Sequence, residues 1–123
     1  DFFPGMFETA LAEGEIVTSI SFPQPEKAAY AKFPNPASRY AMVGVFVAKT
    51  ASGVRVAVTG AGNGGVFRVP AYEAALSANF SPDAIADGVV SAADMNSDLH
   101  ADAEYRAHLV GVMARRAVAA AAG

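Results

Sequence analysis

The chain contains no cysteine and no tryptophan. Without thiols it forms no disulfide, no thiolate zinc site and no iron–sulfur ligation of its own. Basic residues are few: nine Lys and Arg against twelve Asp and Glu, for a net charge of −3. They are scattered, so no basic stripe offers itself to a nucleic acid or an anionic membrane. No apolar run approaches the roughly 20 residues of a membrane span. The opening Asp1-Phe2-Phe3-Pro4-Gly5 lacks the basic n-region of a signal peptide. A cysteine-free chain without either signal fits the cytoplasm.

What is present is apolar. Hydrophobic residues make up 53% of 123 residues, enough for one core and a single domain spanning 1–123. Alternation predicts a strand over 15–22, with Ile16, Thr18, Ile20 and Phe22 on one face and Pro23 and Pro25 as its stop. A strand over 28–33 follows. A proline-bounded loop runs to Tyr40, and an apolar strand covers 42–49. The turn Ala51-Ser52-Gly53 leads to a hairpin partner over 54–60. After Pro70 the pattern turns helical: 71–78, then 84–90 behind a Ser81 cap, then 103–121 behind an Asp102 cap. In the last of these, Tyr105, Leu109 and Val112 form a stripe with Val110, Met113 and Ala117 beside it. Strands first and helices later predict an α+β fold. Its three- to four-stranded antiparallel sheet precedes about three helices packed on one face.

Several motifs invite chemistry. Gly60-Ala61-Gly62-Asn63-Gly64-Gly65 fits the glycine pattern of dinucleotide loops, but a short strand at 66–69 follows where a phosphate-binding helix is required. It reads as a loop between strands. Asp94, Asn96 and Asp98 alternate as calcium-loop ligands do, yet Leu99 stands where Gly is needed and Tyr105 where Glu is needed. His100 and His108 lack zinc-helix spacing. No catalytic or metal-ligating residue is assigned. Lys32, between Tyr30 and Phe33 at a strand end, either guards an edge strand against aggregation or sets a cation beside aromatics to face a planar, electron-rich ligand. Seven acids and no Lys or Arg lie between Arg68 and Arg106. That run supports an alternative function: a non-catalytic protein-binding or assembly module with an acidic docking face.

Four stretches then resemble, in order, one family. They are "DFFPGMFETALAEGEIVTSISFP", "YAKF" followed by "VGVFVA", "VRVAVTGAGNGGVFRVPAYEAAL" and "SDLHADAEYRAHLVGVMARRAV". The resemblance is to the C-terminal domain of the FAD-binding medium subunit of molybdenum hydroxylases, the group of aerobic carbon monoxide dehydrogenase and xanthine dehydrogenase. Asp102 stands where the family usually has Ser, and both cap helices. The resemblance implies a domain that is not catalytic alone. It helps wall the flavin ring while electrons pass from iron–sulfur clusters to an acceptor. FAD would be shared with an N-terminal FAD-binding part that is absent from this sequence. Molybdopterin would sit on a large partner subunit and 2Fe-2S clusters on a small one. Carried over by position, Val17 is the apolar strand residue against the flavin and Lys32 the cation near the ring. Phe33 opens a loop, through Tyr40, that gates the ring face.

Overall fold

The computed structural model describes residues 2–123. Four strands form one antiparallel sheet in sequential order: β1 (Lys27–Pro34), β2 (Ala41–Thr50), β3 (Gly53–Gly62) and β4 (Gly65–Arg68). The valines set its register. Ala31 opposes Val45, Val45 opposes Val58, and Val58 opposes Phe67, so one row crosses all four strands on one face. Val43, Val45, Val47, Val54, Val56 and Val58 are all buried there. A one-residue slip would turn this whole set to the other face, which fixes the pairing. Gly53, at φ 122°, makes the tight return from β2 to β3 that a Cβ would strain.

Two helices cover that face. The first, α1 (Pro70–Ala78), starts with proline at its N-terminus and packs on β3. The second, α2 (Ala103–Ala122), lies across β1 and β2, with Asp102 accepting from the Tyr105 N–H at 2.7 Å as its cap. Its buried stripe is Arg106, Leu109, Val110, Met113, Ala114, Ala117 and Val118. Tyr105 and Val112, expected on the stripe, flank it instead. Gly111 leaves room for Tyr72, because a Cβ there would come within 3.3 Å of the phenol oxygen.

Two buried charges repair the sheet where its ladders stop. β4 ends ahead of Pro70, and Glu73 from α1 accepts the Val56 N–H at 3.0 Å while Arg68 Nε donates to it at 2.8 Å. At the other end, β3 bulges between Val58 and Gly62, with Gly60 at φ 77° against the Ala41 carbonyl. Arg106 fills this gap. Its Nη1 donates to the Met42 carbonyl at 2.7 Å and the Gly60 carbonyl at 3.3 Å, and its Nη2 donates to Asp98 at 2.7 Å.

Two expected elements are corrected. The helix over 84–90 is absent: a single 3-10 turn, Pro82–Ala84, stands there behind its Ser81 cap, and a second, Ala92–Asp94, follows a Ser91 cap. The carbonyls such a helix would use are taken by side chains. Arg115 Nη1 donates to Ile85 at 2.9 Å, Tyr72 donates to Ala86 at 3.2 Å, and Gly88 turns at φ 71°. The described residues thus hold two α-helices rather than about three. The strand over 15–22 is also absent. Ile16, Ile20 and Phe22 are 79%, 80% and 80% exposed, and no backbone hydrogen bond joins residues 16–25 to the rest of the described chain. The alternation is present, but nothing lies alongside it to complete a ladder.

Two outcomes follow from the buried charges. Arg106→Leu should cost about 3 kcal/mol in chemical denaturation, because two carbonyls and Asp98 lose their donor. In acid, three paired carboxylates shape the profile, the exposed Asp87 and half-exposed Asp98 less than the buried Glu73. Arg68 holds Glu73 below the usual carboxylate range, the His100 N–H and other donors do so for Asp98, and Arg115 does so for Asp87. Depressed folded values mean stability is fully present above the unfolded values of about 4 and is lost as pH falls through the folded ones. Unfolding free energy should therefore be level from pH 7 to about 5 and drop below about 4. Glu73→Gln should flatten that acid limb.

Candidate functional site

The helices leave the other face of the sheet uncovered, and strand alternation decides what stands on it. Lys32 opposes Gly44, and Gly44 opposes Thr59. In the adjacent row Tyr30 opposes Phe46, Phe46 opposes Ala57, and Ala57 opposes Arg68. Tyr30 and Phe46 are 49% and 43% exposed. Gly44 is the low point of this surface. A Cβ there would collide with the Tyr30 hydroxyl on one side and lie 2.7 Å from the Thr59 hydroxyl on the other, so the phenol leans across the glycine. An apolar hollow lined by Phe3, Phe7, Thr59 and Val66 continues the face beneath the N-terminal segment.

Lys32 is fixed at the mouth of the 35–40 loop. Its ammonium donates to the Arg39 carbonyl at 2.9 Å. The loop is held by Asn35, whose Oδ1 accepts from the Ala37 and Ser38 N–H groups and whose own N–H donates to Tyr40 O at 2.7 Å. Arg39 adopts the left-handed conformation, φ 66°, to close it. At its loop end the face therefore offers the Lys32 ammonium beside two hydroxyls and an aromatic floor, an arrangement suited to a planar ring with electron-rich edges.

The three residues singled out by sequence do not share this surface in one way. Lys32 stands on it. Phe33, next along β1, points to the helix side and meets Tyr105 edge to face at 6.2 Å between ring centres. Val17 is 49% exposed in the irregular N-terminal segment. Gly44, Phe46 and Thr59 were not found by sequence reading. The alternation in 42–49 held the signal, but only the length of the 35–40 loop sets Gly44 opposite Lys32.

The other motifs have structural employment. The glycine run forms the tip of the β3–β4 hairpin. Asn96 Nδ2 donates to the Gly62 carbonyl at 3.1 Å, and Asp98 accepts from the His100 and Ala101 N–H groups and from Arg106. Of the seven acids between Arg68 and Arg106, four are engaged within the fold: Glu73 with Arg68, Asp87 with Arg115, Asp98 with Arg106, and Asp102 as a cap. That weakens the reading of the run as an acidic docking face.

Residues 28–121 match the family model of the CO dehydrogenase flavoprotein C-terminal domain. The medium subunit of nicotine 6-hydroxylase from Paenarthrobacter nicotinovorans is 34% identical over 96% of this chain and 45% of its own length. The medium chain of carbon monoxide dehydrogenase from Hydrogenophaga pseudoflava is 29% identical over 98% of this chain and 46% of its own. Among solved structures, the reconstituted CO dehydrogenase from Oligotropha carboxidovorans superposes with a TM-score of 0.78 at 28% identity, over 98% of this chain and 46% of that one. The chain thus spans a little under half the length of the curated relatives it matches.

The floor at Gly44 makes its own test. Gly44→Ala should destabilise the fold by about 1–3 kcal/mol through the collision with Tyr30. In a Tyr30→Ala background the same change should be close to neutral, a coupling that a double-mutant cycle in urea measures.

Proposed function

Because this chain belongs to the CO dehydrogenase flavoprotein C-terminal domain family, we propose that it walls the flavin ring in the FAD-carrying medium subunit of a molybdenum hydroxylase-type oxidoreductase. The observation that carries this reading is the place of Lys32, a cation anchored at a loop mouth on the open face of the sheet. The residues suit one half of FAD. The floor of Tyr30, Gly44 and Phe46, with the Thr59 hydroxyl, fits an isoalloxazine-sized plane. The phosphates find no such fit, since the glycine run is a hairpin tip. Their grip belongs to the N-terminal part of the subunit.

When bound, FAD supplies the redox chemistry, taking electrons from iron–sulfur clusters and passing them to an acceptor. This chain's residues condition it. Lys32 would hold positive charge at the ring edge and raise its reduction potential. Val17 would add apolar cover that limits water. Phe33, anchored against Tyr105 on the opposite face, would set the strand that presents Lys32. The domain is not a catalyst by itself. It works in the cytoplasm beside a molybdopterin large subunit and a 2Fe-2S small subunit.

Purification of the assembly from its native host should yield molybdenum, iron and FAD together. In that assembly Lys32→Ala should lower the flavin two-electron potential by about 30–70 mV, the effect of one partly screened charge. An unchanged potential would remove Lys32 from the flavin site.

A further inference from the structure

We propose that residues 15–22 are a β-strand in waiting, which pairs with the edge of a sheet in the N-terminal part of the flavoprotein subunit. The proposal rests on the flavoprotein reading above and names the contact that joins the two parts.

The sequence of this segment is built for a ladder. Ile16, Val17, Thr18, Ile20 and Phe22 are β-branched or aromatic, alternation is regular, and Pro23 and Pro25 end it sharply. The structure nevertheless leaves it single. Ile16, Ile20 and Phe22 stand almost fully in solvent, and backbone groups from 16 to 25 have no partner within the described chain. A run of unpaired N–H and C=O groups beside a row of exposed apolar side chains is the donor half of strand addition. Among the described residues no strand is paired with it. The sheet's edge strands, β1 and β4, each pair with one neighbour, and neither is bonded to this segment.

The occupant we infer is the upstream part of the subunit. The family domain begins at residue 28, so residues 15–22 lie outside it. Yet the relatives retain this section, because their matches cover 96% and 98% of the chain. More than half of each relative lies outside the match, and the family's description places this domain at the C-terminal end of the flavoprotein. A segment retained beside the domain but not packed on it belongs with the upstream part. Pairing there would bury Ile16, Ile20 and Phe22 in that part's core. Val17, Ser19 and Ser21 would face the other way, which puts Val17 on the side free to meet the ring.

Amide hydrogen exchange tests this directly. It compares the isolated 123-residue chain with the FAD-containing assembly purified from the host. Amides of residues 16–22 should exchange freely in the isolated chain and at least about 100-fold more slowly in the assembly. Ile20→Asp should abolish that protection and Ser21→Asp should keep it. Both should leave the melting temperature of the isolated chain unchanged, since residue 20 is already exposed there. If the assembly holds FAD and keeps its Lys32-dependent potential while 16–22 exchanges as in the free chain, the strand is refuted and the flavin reading stands. If the assembly carries no flavin, the reading fails and the strand falls with it.

Discussion

The fold hangs on one guanidinium. Arg106 is 4% exposed, sits in the first turns of α2, and binds two strand carbonyls and Asp98 at once. Those carbonyls, on Met42 and Gly60, belong to neighbouring strands just beyond the last pair of their ladder, Gly44 and Thr59. An uncompensated carbonyl pair there would cost more than an ordinary hydrogen bond returns. Arg106 meets that cost and in doing so sets the height and rotation of α2 over β1 and β2. Asp98 balances the charge from the half-exposed side, and the same carboxylate folds the turn that leads into the helix. Glu73 plays the matching part for α1 at the other end of the sheet.

With both helices tied down on one face, the opposite face is left to other uses. There the sheet carries Tyr30, Lys32, Phe46 and Thr59 around a glycine that keeps the floor low. The N-terminal segment passes along the same side, since Phe3 and Phe7 share a hollow with Thr59 and Val66. Exposed apolar area of this extent is unusual for a free-standing domain. On the reading proposed above, the rest of the subunit would supply the phosphate grip, the missing sheet edge and the rest of the ring pocket.

The sheet and the long helix were legible because their signals are local: alternating valines, Gly53 at the turn, Asp102 ahead of a 3.6-residue stripe. The helix over 84–90 misled because good helix formers sit there while their carbonyls are claimed by Arg115 and Tyr72, contacts from 30 and 14 residues away. The strand over 15–22 misled for a different reason. Its pattern is a true strand pattern, but a strand needs a neighbour, and no sequence states where the neighbour resides. The placing of Lys32 near the end of a strand, between Tyr30 and Phe33, was legible. Its surroundings were not, because Gly44 and Thr59 reach it only through hairpin register. Phe33 stood beside Lys32 in the sequence and across the sheet from it in space, the ordinary consequence of a period of two.

A density map of the FAD-loaded subunit would show whether the open face of this sheet is a flavin wall. The isoalloxazine ring should lie on the side of Tyr30, Gly44 and Thr59, with Lys32 Nζ within hydrogen-bonding reach, about 3 Å, of a ring-edge atom. A ring seated against the helices, or clear of β1 altogether, would contradict it.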